Sequence, residues 1–198
     1  MPKIGMKPIR REALVNAAIF EIGRVGTLDV TVSQIAKQAG VSSALAHHYM
    51  GGKDEIFVAA MRHILTIYRL EIQGALALST TPRERVEAII RSSFSKQNFR
   101  PDIVSAWLNF YVKANASAPT KRLLTVYHKR ILSNLTYSLR PLVGDNAPKI
   151  ASGIAAMIDG FYLQLALKNK PTNKDTLVHL IIEYLDMSIE RNAIKNDI

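Results

Sequence analysis

Residues 31–49 read T-V-S-Q-I-A-K-Q-A-G-V-S-S-A-L-A-H-H-Y, which is two short helical patterns separated by one glycine. Thr31 and Gln34 have the spacing of a capping box, in which the threonine hydroxyl accepts from the third amide of a helix and the glutamine reaches back. Gly40 can adopt the positive φ at which a helix ends sharply, and Ser42 can cap a second helix. The spacing predicts a helix-turn-helix whose second helix has a short polar first turn that can approach base edges.

The same pattern also fits an ordinary helical hairpin, because small residues followed by glycine and a hydrophobic residue arise by chance. The neighbouring charges favour nucleic acid. The first eleven residues carry four basic side chains, Lys3 and Arg10 among them, and no acid, while Lys53 follows the motif. A basic arm of this kind contacts phosphates or enters a minor groove, although a charged tail can also be merely solvated.

Composition narrows the class of protein. A chain of 198 residues with 48% hydrophobic content buries a sizeable core, which excludes a disordered protein. The net charge of +10 favours a polyanionic partner, either nucleic acid or an anionic membrane. The chain has no cysteine, which excludes disulfides and thiolate metal sites. Charges at residues 10–12 interrupt any signal-peptide core and no apolar run spans a bilayer, so we expect a soluble cytoplasmic protein without a membrane partner.

Apolar residues recur at intervals of three and four almost throughout, and no strand alternation persists, so the sequence predicts an all-α fold of about nine helices. Pro and Gly mark the ends of the segments. We expect helices at residues 8–25, two within 31–50, and further ones at 53–78, 82–97, 101–116 and 119–140, then after a turn at 144–148 one through 167 and one at 174–190.

The last two helices have wide apolar faces. The faces carry Ile150, Ile154, Met157, Ile158 and Phe161 on one helix and Leu177, Leu180, Ile181, Tyr184 and Leu185 on the other. Gly153, Ala156 and Gly160 allow another helix to approach closely. The pair fits either a core within one chain or half of a two-fold four-helix interface. A homodimer is favoured, because a lone helix-turn-helix reads few base pairs and two copies on a palindrome multiply the affinity.

Residues 40–57 read G-V-S-S-A-L-A-H-H-Y-M-G-G-K-D-E-I-F and resemble the TetR family of repressors. The matching positions are Gly40, Val41, Ser42, His48, Tyr49, Lys53 and Glu55. The segments M-P-K-I-G-M-K-P-I-R-R at 1–11, A-W-L-N-F-Y at 106–111 and A-A-M-I-D-G-F-Y-L at 155–163 resemble, more particularly, its choline-responsive members. The resemblance implies a DNA-binding domain at 1–52, with the helix-turn-helix at 31–50, and a ligand-binding and dimerisation domain at 53–198.

The resemblance also implies which side chains contact a palindromic operator. Phosphate contacts are expected from Thr31, Ser42, Tyr49 and Lys53. Base contacts are expected from Ser43, Ala44, Leu45 and His47. Further DNA contacts are expected from His48 of the motif and from Lys3 and Arg10 of the basic arm. Many relatives have Gly-Thr-Leu-Tyr at 44–47, so the operator sequence does not transfer. Leu45 and His47 could instead be buried within the head, the DNA-binding domain at residues 1–52. No metal is expected, because adjacent helical histidines point about 100° apart.

Choline is the effector that the resemblance implies, for a repressor of choline uptake and glycine betaine synthesis genes. A quaternary ammonium has no hydrogen to donate, so aromatic faces and a carboxylate hold it. Trp107, Phe110 and Tyr111 share one helical face, and Asp159 and Tyr162 share another. The alternative is that the aromatic residues are core and that Asp159 pairs with an Arg or Lys.

Other functions have less support in the sequence. The chain contains no Gly-x-Ser-x-Gly elbow, phosphate-cradling glycine loop, metal-ligand spacing or repeated acid pair, so we expect neither an enzyme nor a cofactor. A TetR-type repressor for another cationic or lipophilic molecule remains an alternative. A helical carrier or interaction module without DNA recognition is a third.

Overall fold

The computed structural model describes residues 5–167 and 173–196, and in these ranges the chain is all-α with no strand. Nine helices lie in the described ranges: α1 (Met6–Val25), α2 (Val32–Gln38), α3 (Ser43–Met50), α4 (Lys53–Ala77), α5 (Pro82–Ser93), α6 (Pro101–Ala114), α7 (Ala118–Val143), α8 (Ala147–Leu167) and α9 (Lys174–Asn196). A 3₁₀ turn at Gly144–Asn146 precedes α8. The predicted fold class is confirmed.

Local capping fixes several helix ends where the sequence predicts them. Thr31 accepts from the Gln34 amide at 3.2 Å, and the Gln34 side chain accepts from the Thr31 amide at 2.7 Å. The same reciprocal pair forms between Thr81 and Glu84 at the start of α5. Gly40 adopts a φ of +66°, the left-handed conformation that separates α2 from α3.

Three predicted helix ends are wrong. α9 continues to Asn196 rather than ending at residue 190. α5 ends at Ser93 rather than near residue 97, because Phe94 leaves the helical conformation with φ −109° and ψ 20°. α7 continues through Pro141 to Val143, although the proline was expected to end it. Pro141 removes one amide donor in the last turn, whose acceptor is the carbonyl of Tyr137. Tyr137 is exposed, so water can replace the missing donor and the helix tolerates the proline.

The first of two compact units consists of the chain through Thr66 together with Arg100–Leu123. α1, α2 and α3 pack together around Leu14, Ala18 and Ile35. α6 crosses α1 so closely at Gly23 that a Cβ atom there would clash with the Cβ of Asp102. Compactness therefore groups α6 with the head, whereas the functional boundary after residue 52 remains a prediction.

The second unit consists of Ile67–Phe99 and the chain from Leu124 onward. α5, α8 and α9 pack on one another. Arg83 of α5 donates two hydrogen bonds to Asp186 of α9, both at 3.0 Å. α4 contributes its residues through Thr66 to the first unit and the remainder to the second.

The apolar faces of α8 and α9 divide into buried and exposed parts. Ile150, Ile154, Ile158, Leu177, Ile181 and Leu185 are buried within the single chain. A different face of α8 is accessible: Ala156, Gly160, Leu163 and Leu167 follow one another at intervals of three and four, and Leu163 and Leu167 are 49% and 69% exposed. Gly153 instead packs against Tyr184 of α9 within the chain. Leu180 and Met187 of α9 are also exposed.

Candidate DNA-binding surface and effector site

α3 has one face in the core and one in solvent. Ala46 and Met50, four residues apart, are buried where α3 packs on α1 and α2. Ala44, His47 and His48 on the other side are exposed. The exposed face has no acid and only small or planar side chains, so a helix of this kind can enter a major groove without charge repulsion.

The predicted base-contacting residues differ in accessibility. Ser43 is half-buried, and its hydroxyl donates to the Ser33 hydroxyl at 3.3 Å. Leu45 is half-buried as well, whereas His47 is exposed with Nδ1 3.1 Å from the carbonyl oxygen of Gly51. The alternative of burial within the head therefore does not apply to His47. The contact leaves Nε2 of His47 free to face outward, because the two ring nitrogens point in different directions.

The predicted phosphate-contacting residues surround α3. Thr31 and Ser42 are exposed, and the Ser42 hydroxyl accepts from the Leu45 amide at 3.2 Å. Tyr49 is half-buried with its ring 5.4 Å from that of His48, and Lys53 is exposed. Arg10 is half-buried, and Lys3 lies outside the described residues.

A cation from α6 offsets the acid next to Lys53. Lys113 Nζ lies 2.8 Å from Asp54 Oδ1. Asn109 donates to the carbonyl oxygen of Gly26 at 3.1 Å, so α6 is tied both to the end of α1 and to the start of α4. The paired Asp54 repels a phosphate at Lys53 less than a free carboxylate does.

The aromatic residues predicted on α6 lie in the first unit. Trp107 and Phe110 are buried, with ring centroids 5.6 Å apart in an edge-to-face arrangement. Tyr111 is half-buried, and its ring lies 5.9 Å from that of Trp107. The three residues form one aromatic cluster, as their spacing predicts.

Asp159 and Tyr162 lie on α8 in the second unit. Asp159 is half-buried; its Oδ1 accepts from the Tyr127 hydroxyl at 3.5 Å, and its Oδ2 lies 3.3 Å from Nε2 of His128. Tyr162 is buried, and its hydroxyl donates to the backbone carbonyl of Ser93. The Tyr162 ring stacks on Phe94 with centroids 5.8 Å apart, so its phenol is held rigidly.

Besides His128, sequence reasoning missed two residues of α4. Tyr68 of α4 is buried, with its ring 5.8 Å from that of Tyr127. Its hydroxyl lies 2.8 Å from the Ser93 hydroxyl, which itself donates to the Ile89 carbonyl at 2.9 Å, so Tyr68 is the donor. Glu71, one turn further along α4, accepts from the Asn98 amide at 2.7 Å.

Tyr68, Tyr127 and Tyr162 form a buried tyrosine cluster whose electrostatic environment favours a cation. Burial raises the pKa of Tyr68 and of Tyr162 above that of a free phenol, and the negative charges of Asp159 and Glu71 raise both further. The phenols of Tyr68 and Tyr162 therefore stay neutral. Neutral aromatic rings beside a carboxylate are the environment that holds a quaternary ammonium.

No cluster of three His, Cys, Asp or Glu side chains suited to a metal occurs in residues 5–167 and 173–196. Within the same described part of the chain, none of the helices combines the length and the apolar character that crossing a membrane requires.

Comparison with known families identifies the chain. Residues 14–60 match the model for bacterial regulatory proteins of the tetR family, and residues 82–190 match that for the C-terminal domain of BetI-type transcriptional repressors. The chain belongs to the BetI-type repressors of the TetR family. It is therefore a DNA-binding transcriptional repressor and not an enzyme.

The curated relatives of this BetI-type repressor match it over nearly its whole length. The HTH-type transcriptional regulator BetI of Brucella anthropi is 47% identical over 190 residues, which cover 96% of this chain and 98% of the relative. The regulator of the same name from Rhizobium meliloti is 47% identical over 194 residues, covering 98% of this chain and 96% of the relative.

Solved structures share the fold. A transcriptional regulator from Pseudomonas aeruginosa PAO1 superposes with a TM-score of 0.79 at 23% identity, over 93% of this chain and 94% of that one. A regulator from Saccharomonospora viridis, solved in complex with choline, superposes with a TM-score of 0.80 at 20% identity, over 89% and 95% of the two chains.

Proposed function

We propose that this repressor controls genes for choline uptake and glycine betaine synthesis and that choline binding in residues 53–198 releases it from a palindromic operator. The observation that carries the proposal is the half-buried carboxylate of Asp159, which accepts from the Tyr127 hydroxyl, together with the Tyr68 ring that packs against the Tyr127 ring. The BetI-named relatives and the choline complex of the Saccharomonospora viridis regulator support choline as the effector.

Choline fits this chemistry better than a neutral molecule does. Its trimethylammonium group interacts with neutral aromatic rings and is attracted by a carboxylate, without needing a hydrogen-bond acceptor. Asp159 supplies the negative charge, and buried tyrosines supply the rings. We propose that Trp107, Phe110, Tyr111 and Tyr162 contribute to the same function, as their resemblance to the choline-responsive repressors implies.

We propose that the DNA-binding activity resides in residues 1–52 and that contacts come from the exposed face of α3, the caps Thr31 and Ser42, and the arm with Lys3 and Arg10. His48 and Tyr49 at the end of α3 and Lys53 at the start of α4 complete this surface. Binding to DNA occurs in the bacterial cytoplasm, where the operator lies.

A homodimer through α8 and α9 places two copies of α3 on one duplex. The exposed face of α8 with Leu163 and Leu167 supports this proposal, because small residues and leucines at intervals of three and four suit close helix packing. Exposed Leu180 and Met187 of α9 extend the apolar area. Burying these side chains in a two-fold interface stabilises the dimer by removing apolar surface from water.

The proposal is tested by titrating the purified repressor onto labelled DNA from upstream of its own gene, with and without choline, at one stated salt concentration. We expect specific binding that weakens as choline is added. The Asp159→Asn variant should bind the same DNA but respond to choline about tenfold less, because it lacks the carboxylate charge. Asp175→Asn, at an exposed acid of α9, is the matched control.

Specific DNA binding that choline leaves unchanged would contradict choline as the effector. A thermal-shift panel of choline, betaine aldehyde, glycine betaine and bulkier lipophilic cations would then identify the alternative, a TetR-type repressor for another cationic or lipophilic molecule.

A further inference from the structure

His128 faces the carboxylate of Asp159, which we propose attracts the ammonium group of the effector. Its Nε2 atom is shielded from solvent and lies 3.3 Å from Asp159 Oδ2, while Tyr127 approaches the other carboxylate oxygen. Protonation at Nε2 therefore creates a charge-assisted contact with Asp159 at the place where an effector cation is attracted. Histidine is the side chain that ordinarily changes charge between pH 5 and 8.

We propose that His128 determines which charge type of effector the site prefers. A neutral imidazole leaves the Asp159 carboxylate available to a quaternary ammonium cation. An imidazolium pairs with Asp159 and favours a zwitterion, which carries a carboxylate as well as the ammonium group. The inference rests on the proposed function, because it takes Asp159 as the group that attracts the effector. His128 is then a specificity-determining residue that sequence reasoning did not single out.

The other titratable groups that the described residues place next to this carboxylate do not supply the same switch. The titratable groups that face Asp159, or that lie within electrostatic range of its tyrosine neighbours, include Tyr127 and His128 on α7, Tyr68 and Glu71 on α4, and Tyr162 on α8. The raised pKa of Tyr68 and Tyr162 keeps both phenols neutral. Lys129 and Arg130 beside His128 are exposed, and lysine and arginine stay charged between pH 5.5 and 7.5.

The direction of the pH effect follows because the imidazolium of His128 and the ammonium group of choline compete for the carboxylate of Asp159. A proton on His128 neutralises the field of Asp159, so the choline complex binds fewer protons than the free repressor. Choline affinity should therefore fall as the pH is lowered, and choline binding should release protons. Glycine betaine should lose less affinity, because its carboxylate interacts favourably with the imidazolium.

The test measures choline and glycine betaine dissociation constants by calorimetry at pH 7.5 and 5.5, at constant ionic strength, for the full chain and its variants. We expect choline binding by the parent to weaken about threefold or more at pH 5.5. His128→Gln is uncharged at both values and should bind choline with nearly constant affinity. His128→Arg carries a permanent charge and should bind choline weakly at both values.

His179→Gln is the matched control, because Nε2 of His179 lies 3.2 Å from a Glu183 oxygen in an exposed pair on α9. It should retain the pH profile of the parent. Parent and His128→Gln profiles that coincide would overturn the role of His128 while leaving choline as the effector. A parent that shows no saturable choline binding at either pH would overturn the proposed function and this inference together.

Discussion

At the residue scale, Ser42 has two separable properties. Its hydroxyl caps α3 by accepting from the Leu45 amide, and it remains exposed where the family resemblance expects a phosphate. A variant can keep one property and lose the other, because aspartate caps helices as well as serine does but repels phosphate.

We therefore predict that one substitution at Ser42 lowers the stability of the fold and that another lowers only the affinity for DNA. Ser42→Ala should lower the free energy of unfolding by about 1 kcal/mol, because the cap is lost. Ser42→Asp should unfold at the same denaturant concentration as the parent but bind operator DNA at least about tenfold more weakly, because it places a negative charge beside phosphate. Chemical denaturation and DNA titration separate the two effects; normal DNA binding by Ser42→Asp would remove Ser42 from the phosphate contacts.

Lys53 tests the same surface through salt dependence. Lys53→Ala should weaken binding to specific and random DNA alike and lower the slope of log affinity against log salt by about one, because one phosphate contact is lost. Lys149→Ala, at an exposed lysine of α8, is the control and should keep the parent slope. Equal slopes for the parent and Lys53→Ala would show that Lys53 does not contact phosphate.

At the element scale, two helical glycines have opposite surroundings. Gly23 lies against the Cα and Cβ atoms of Asp102 at the crossing of α1 and α6, whereas Gly74 of α4 has nothing within 4 Å of the position a Cβ would take. Adding a methyl group therefore tests helix packing at one site and intrinsic helix propensity at the other.

Gly23→Ala should lower the free energy of unfolding by about 2 kcal/mol, because α1 and α6 must separate to accommodate the new Cβ. Gly74→Ala should raise it by roughly 0.5–1 kcal/mol, because alanine is the better helix former. Urea denaturation of both variants measures these values, and a stabilising Gly23→Ala would contradict the close crossing of the two helices.

The capping box of α5 gives a prediction for pH. Hydrogen bonds from Thr80 and Thr81 hold the pKa of Glu84 below its ordinary value of 4.5. A lowered carboxyl pKa stabilises the fold above the unfolded-state value and loses that contribution as the pH falls through the folded-state value. The parent should therefore exceed Glu84→Gln in stability at pH 7, and the difference in melting temperature should shrink below about pH 4.5. A difference independent of pH would contradict the role of the charge.

The helix ends show what sequence reasoning could predict. Thr31, Ser42 and Thr81 are local signals, since each cap involves residues three positions apart. The predicted end of α7 before Pro141 is wrong because the effect of the proline depends on the exposure of the last turn of α7, which the sequence does not show. The tyrosine cluster could not be predicted, because Tyr68, Tyr127 and Asp159 come together only through the packing of three helices distant in sequence.

At the scale of the whole molecule, the exposed leucines of α8 test the dimer. Leu163→Glu should shift the repressor to monomers, because a charge in the proposed two-fold interface is costly to bury. Leu70→Glu, at an exposed leucine of α4, is the matched control and should remain dimeric. Light scattering after gel filtration reports the mass, and a dimeric Leu163→Glu would move the interface elsewhere.

The monomeric variant should also lose operator affinity, since two linked copies of α3 bind one duplex far more tightly than one copy does. The sequence left the apolar faces of α8 and α9 open between a core within one chain and a two-fold interface, and the structure divides them between the two environments. Ile154 and Ile158 are fully buried within one chain, whereas Leu163 and Leu167 are exposed.

Hydroxyl-radical footprinting of the repressor on DNA from upstream of its own gene tests the central claim most directly, because it reports both recognition helices and the effector in one measurement. We predict two protected segments separated by one helical turn, about 34 Å, or a multiple of it, with protection disappearing as choline is added. A single protected segment, or protection that choline does not change, would contradict a two-fold repressor released by a cation.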